Sequence, residues 1–220
     1  MNIGVLGTGM VGETIATALI EKGHNVRMGS RSANNDKAAA WVKKSNDKAT
    51  QGDFDDAAAF GEIVFLCLNG AHALDAVQSI KTDSVNGKVV IDLTNPLDFS
   101  KGMPPRLLEG LNNSTSLGEQ IQATLPTARV VKTFNTINSN VMVNPKLINN
   151  GDHTLFLCGN DNDAKNKVKH FLVDTFRWQP ENLLDLGGIV AARGTEAYVP
   201  FWVMMMQATG SPMFNIKVVK

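Results

Sequence analysis

Six residues near the start of the chain, Gly7-Thr8-Gly9-Met10-Val11-Gly12, have the types and spacing to hold a pyrophosphate. The pattern is G-x-G-x-x-G, and its setting gives it meaning. It follows a short apolar run, Ile3–Leu6, and opens a segment with apolar residues at Val11, Ile15, Ala18 and Leu19, the stripe of an amphipathic helix. In a strand–loop–helix of this kind, Gly7 permits the tight turn and Gly9 lets the backbone approach the phosphates. Gly12 lets the helix pack close to the sheet, while free N–H groups at the helix start face the anion. No Gly-Lys-Ser/Thr closes the loop, so a Walker-type nucleotide site is excluded.

The end of the second strand distinguishes between dinucleotides. A fold selective for NAD places Asp or Glu there to bind the ribose hydroxyls. This chain reads Arg27-Met28-Gly29-Ser30-Arg31-Ser32, and the next carboxylate is Asp36. A guanidinium between two hydroxyls suits a 2′-phosphate, because Arg31 makes charge-assisted bidentate bonds and Ser30 or Ser32 can donate beside it. Lys37 could add a second charge. The cofactor expected is NADP(H).

Other chemistry leaves no mark. There is no G-x-S-x-G elbow, no metal-spaced His/Cys cluster, and no Tyr-x-x-x-Lys dyad, the single tyrosine being Tyr198 with Trp202 four residues on. No side chain is marked as catalytic and no metal ligands are expected. Hydride transfer between a nicotinamide and a flavin-type ring asks mainly for positioning and exclusion of water, so it is compatible with this silence. Two readings follow. One is an oxidoreductase moving hydride between NADP(H) and a flavin-like or deazaflavin acceptor; the other is a non-catalytic module that binds or senses NADP(H). Arg193 and Glu196, three residues apart on a helix, are expected to pair with each other as a structural ion pair.

The elements that must position these residues alternate. Strands are expected at Ile3–Leu6, Asn25–Met28, Ile63–Leu68, Lys88–Leu93, Arg129–Phe134 and His153–Cys158. Helices are expected at Met10–Lys22, Asp36–Lys44 and Ala71–Ile80, with a weaker unit at Asp53–Phe60 and short helical pieces at Met103–Gly110 and Leu117–Leu125. A further helix follows Asp161, and the last covers Ile189 to Ala208 with a kink at Pro200, before a short tail. The series implies an α/β fold, a Rossmann-type doubly wound parallel sheet with a small C-terminal helical portion. Residues 1–150 would be the NADP-binding Rossmann domain, and residues 151–220 a strand–helix portion packed on it as one compact unit.

Composition agrees. The chain has 220 residues, 43% hydrophobic and 19% charged, with 21 basic and 21 acidic side chains, so the basic excess of a nucleic-acid binder is missing. The longest apolar stretch, Ala197 to Met206, is about half of a bilayer span, and no basic leader opens the sequence; no membrane attachment is expected, and the expected compartment is the cytoplasm. Cys67 and Cys158 lie in apolar runs and read as buried free thiols. The Ala197–Met206 stretch is apolar around its circumference, which points to a homodimer through the C-terminal helix, burial within the subunit being the competing explanation.

Several segments taken together resemble the NADP-dependent coenzyme F420 reductases and their bacterial relatives, and more distantly the soluble domain of STEAP-type metalloreductases. They are Ile3–Gly12, Gly29-Ser30-Arg31, Phe65–Ala73, Ile91–Leu97, Val130–Thr136 and Leu186–Glu196. The resemblance implies that Gly9 to Gly12 contact the pyrophosphate and that Ser30 and Arg31 contact the 2′-phosphate. It places Leu68, Asn69 and His72 along the adenosine and ribose, and Asn95, Phe134 and Asn135 at the nicotinamide end, with F420 or a flavin as co-substrate. The similar reductases pair through their C-terminal regions. They carry histidine at the position of Asn135, and Thr-Ile-Pro where this chain reads Thr136-Ile137-Asn138, in a segment that touches the deazaflavin; the resemblance therefore reaches the dinucleotide more fully than the deazaflavin.

Overall fold

A computed structural model describes residues 1–111 and 114–219. The first half is built from β1 (Asn2–Leu6), α1 (Met10–Glu21), β2 (Asn25–Ser30), α2 (Asp36–Lys44), β3 (Ala49–Asp53), α3 (Phe54–Phe60) and β4 (Ile63–Leu66). After β4 come a 3-10 turn over Gly70–His72, then α4 (Ala73–Gln78), α5 (Thr82–Val85) and β5 (Val89–Asp92). The rest comprises β6 (Leu97–Asp98), β7 (Arg106–Leu107), α6 (Leu117–Thr124), β8 (Arg129–Thr133), α7 (Ser139–Val143), β9 (Leu155–Cys158), α8 (Asn162–Phe176), β10 (Leu183–Asp185) and α9 (Ala192–Thr209).

Eight strands form one sheet in the order β10-β9-β8-β5-β4-β1-β2-β3. From β3 to β8 every pairing is parallel; β9 then runs antiparallel to β8, with Lys132 opposite Cys158, and β10 runs parallel to β9. The Rossmann-type α/β reading holds, with an edge that reverses direction. The chain moves outward from β1 through β2 to β3, then returns to β4 on the other flank of β1. The crevice beyond the C-terminal ends of β1 and β4 is thus the topological switch point, where such sheets bind ligands.

Two cores cover the sheet faces. Ile15 and Leu19 of α1, Trp41 of α2, Val141 of α7 and Val168 and Phe171 of α8 lie on one face. Ala57 of α3, Val77 of α4, Ile121 of α6 and Ala192 of α9 lie on the other. Helix starts are fixed by short polar side chains: Asn35 accepts from the N–H groups of Lys37 and Ala38, and Asp53 and Asp56 form a capping box on α3.

Four local expectations change. Residues 49–53 are a strand, which Ala-Thr-Gln-Gly-Asp conceals because it lacks alternating apolar residues. The helix expected over 71–80 is split into the 3-10 turn and α4. Residues 106–107 pair antiparallel with 97–98 instead of coiling into a helix. The last helix begins at Ala192, after a 3-10 turn over Ile189–Ala191. Among the described residues no helix is long and apolar enough to cross a membrane.

Candidate functional site

The tight turn after β1 is made by Gly7 at φ +126°, a conformation that L side chains rarely adopt. A Cβ on Gly12 would sit 2.0 Å from the Gly7 carbonyl oxygen, so α1 reaches its close approach only with glycine at that position. Gly9 differs from both. A Cβ there meets no atom within 4 Å, so the space above it is open, a gap where a pyrophosphate could rest against the start of α1.

That gap belongs to a cleft of about 330 Å³ lined by Gly7, Thr8, Gly9, Ser30, Arg31, Asn35, Phe54, Cys67, Leu68, Asn69, His72 and Ala76. The structure thus gathers eight of the sixteen sequence-predicted residues there, from three strand ends: β1, β2 and β4. A second cavity of about 260 Å³ shares Arg31 with it and adds Asp53, Asp55, Asp75 and Ser79. Arg31 is exposed and stands between the two. The Ser30 hydroxyl is buried; it donates to the Ser32 carbonyl at 2.5 Å and accepts from the Ser32 N–H, fixing the turn that presents Arg31. Asn69 caps its 3-10 turn by accepting from the Ala71 N–H, and this carries exposed His72 to the cleft wall.

Other predicted residues lie elsewhere. Met10, 74% exposed, and Lys37 line a groove along the outer side of α1 with Glu13, Thr14 and Thr17, and it adjoins the cleft at Thr8 and Gly9, which line both. Val11 is half-buried against the core, and Ser32 is exposed beyond the turn. Asn35, Phe54, Cys67 and Ala76 line the cleft without having been expected. Asn35 announces itself only as a helix cap, and Phe54 comes to the cleft through the unforeseen strand β3. Burial raises the Cys67 thiol well above its ordinary range, and Asp92 adds to the effect; burial pushes Cys158 up to about 12. Both are free thiols.

The exits of β5 and β8 lie beyond the cleft. Asn95 donates from Nδ2 to the Asn135 carbonyl (2.8 Å), and Asn135 donates from Nδ2 to Asn95 Oδ1 (3.0 Å) and to the Thr195 carbonyl (3.0 Å). Phe134 sits at φ 68°, a left-handed backbone that is rare for a bulky residue. Its side chain is fully buried beside Phe176 and Trp178, so only its backbone can face a ligand.

The expected Arg193–Glu196 pair does not form. Arg193 makes a bidentate bond to Glu119 (2.7 and 2.9 Å), which holds the Glu119 carboxyl below its usual range. Glu196 instead turns inward to Lys132 (3.0 Å) and to the N–H groups of Leu117 and Gly118 at the start of α6. Spacing made the first two neighbours; long-range partners with better geometry took each of them. Among the described residues no group of His, Cys, Asp and Glu is arranged to hold a metal.

Comparison with known proteins places this architecture. The profile of the NADP oxidoreductase, coenzyme F420-dependent, family matches residues 2–96. A crystal structure of a candidate F420-dependent NADP reductase from Arthrobacter sp. FB24 is 40% identical, with all of both chains covered and a TM-score of 0.91. The metalloreductase STEAP3 of Rattus norvegicus is 27% identical over 205 residues, which are 91% of this chain and 37% of that one; the chain thus spans little more than a third of that relative. A reductive aminase from Aspergillus terreus, solved with NADPH and ethyl levulinate, shares the fold at 15% identity and a TM-score of 0.65, over 95% of this chain and 62% of that one. The full-length match at 40% identity, together with the glycine loop and the cleft it opens, makes this chain an NADP(H)-binding oxidoreductase of the coenzyme F420-dependent NADP oxidoreductase family.

Proposed function

We propose that NADP(H) lies along the cleft with its pyrophosphate over Gly9, its 2′-phosphate on Arg31 and its nicotinamide beyond Asn95 and Asn135, and that the nicotinamide exchanges hydride with a flavin-like or deazaflavin ring. The observation that carries this reading is the open space at Gly9 within a cleft that also holds Arg31. In this reading Leu68, Asn69 and His72 flank the adenosine and ribose. Residues 1–150 hold the dinucleotide, and residues 151–220 close its far end.

The chain's contribution at the nicotinamide end is placement. The Asn95 and Asn135 amides brace each other, and the ionisable groups fastened to the exits of β5 and β8 are paired: Asp92 and Glu196 with Lys132, and Glu119 with Arg193. None of these five is free to protonate a carbonyl or amine product. A ring that accepts hydride at one atom and takes its proton from water fits such a site better, with the rate arising from alignment.

The last helix supports a dimer. Val199 and Val203 are buried within the subunit, while Phe201 and Met204 on the other face are 57% and 49% exposed. Trp202 is stacked on Phe214 with ring centroids 5.2 Å apart, so Phe201 and Met204 are the positions to meet a second copy.

Four outcomes are expected. Gly9→Val leaves the chain folded, because a Cβ there points into open space, and abolishes NADPH binding in calorimetry; retained affinity would mean that the loop has no ligand above it. The unaltered protein binds NADPH at least about tenfold more tightly than NADH, and Arg31→Ala erases most of that preference while sparing NADH; equal losses on both would remove Arg31 from the 2′-phosphate. With FMN, FAD, F420, ferric chelates and a simple carbonyl compound offered in turn, NADPH oxidation is fastest on a flavin or F420, and turnover confined to the carbonyl would refute the ring-type acceptor. Light scattering gives a dimer that Phe201→Glu and Met204→Glu each dissociate, whereas a monomeric unaltered particle would end that part of the reading.

A further inference from the structure

The ammonium of Lys132 is fully buried and has three acceptors for its three protons: Asp92 Oδ2 (2.8 Å), the Thr94 carbonyl (2.8 Å) and Glu196 Oε1 (3.0 Å). The two carboxylates are as fully engaged. Asp92 Oδ1 accepts from the Thr94 N–H (2.8 Å) and hydroxyl (2.7 Å), and Glu196 accepts from Leu117 N (2.8 Å) and Gly118 N (2.9 Å). All three side chains are at most 1% exposed. Burial alone would depress the Lys132 ammonium, but the charges of Asp92 and Glu196 outweigh it, and its net shift is upward. Ions buried this deeply seldom add stability over apolar residues of the same volume, whereas loss of one partner strands the others. What such a trio supplies is a single permitted arrangement.

That arrangement touches the far end of the cleft at two points. Lys132 holds the carbonyl of Thr94, the residue before Asn95. Glu196 follows Thr195, whose carbonyl receives the Asn135 amide. One turn of α9 is thereby fastened to the exits of β5 and β8 and to the start of α6, and the Arg193–Glu119 pair reinforces it from the adjoining residues.

We propose that Glu196 and Lys132 are positioning residues for the nicotinamide half of the cofactor, locking the first turns of α9 across the strand exits so that the Asn95–Asn135 pair is held in one geometry. The proposal rests on the placement of NADP(H) given above, with the adenosine half at β2 and the nicotinamide half at β5 and β8. It therefore separates the two halves of one ligand. In Glu196→Gln, which keeps the shape but sets an amide N–H₂ against backbone donors, affinity for NADPH falls about tenfold. Affinity for 2′,5′-ADP, which lacks the nicotinamide, changes less than about twofold.

Calorimetry with both ligands on the same preparation reads the ratio, and retained 2′,5′-ADP binding reports that the protein is folded. Equal losses on the two ligands, or no loss on either, would overturn the proposal, since a purely structural role cannot distinguish them. If Glu196→Gln does not fold, Glu119→Gln cuts the partly exposed tie at Arg193; a NADPH-selective loss of about threefold supports the latch, and an unchanged ratio overturns it. Failure of the unaltered protein to bind 2′,5′-ADP would instead overturn the cofactor placement, and the latch with it.

Discussion

The closeness of α1 to the turn that precedes it constrains the rest of the nucleotide-binding half. With a hypothetical Gly12 Cβ only 2.0 Å from the Gly7 carbonyl, the helix stands nearer to the turn than any side chain permits. Its first N–H groups are brought over the strand ends, and the space over Gly9 is left clear. The Gly7 Cβ position is similarly blocked, at 2.2 Å from the Cys67 carbonyl, so β1 and the exit of β4 are in contact at the switch point. Everything lining the cleft is placed relative to that contact: Ser30 and Arg31 by the pairing of β2 with β1, and Leu68, Asn69 and His72 by the pairing of β4 with β1.

The far half is organised by a different force. There the backbone is held by charges that water does not reach, and the residues concerned come from β5, β8, α6 and α9, more than a hundred positions apart at the extremes. Steric fit determines where space stays open over the glycine loop, and ionic saturation determines how the opposite end is shaped. The exposed Arg31 contrasts with both, as a cation with no ion pair among the described residues, on a short turn whose neighbour Ser30 is spent on local hydrogen bonds.

What the sequence reveals follows the range of the interactions. Glycine spacing, the base at the end of β2, and most element positions are local, and they are visible in a row of letters. The pairing of Arg193 and Glu196 also looked local and was not. Glu119 and Lys132 lie far away in sequence, and burial gave Glu196 an ionic partner that spacing cannot reveal. Lys132 itself reads as an ordinary lysine in an apolar strand. β3 was hidden because Ala49–Asp53 owes its conformation to pairing with β2 rather than to its own residues, and with β3 went the contribution of Phe54 to the cleft. The resemblance places Phe134 at the nicotinamide end, and its letter does not reveal that a left-handed backbone there sends the ring into the core.

That ring has a consequence for modularity. Phe134 lies at the exit of β8, while the aromatic partners around it, Phe176 and Trp178, come from beyond residue 150; Trp178 in turn donates its indole N–H to the Met142 carbonyl (2.9 Å). The backbone strain at the exit of β8 is sustained by side chains supplied from beyond residue 150. A glycine-loop unit that ends with its own sheet can be transplanted between proteins as a cassette. Here the cut would run through a shared aromatic core, so recombination between relatives is confined to exchanging Phe134, Phe176 and Trp178 as a set.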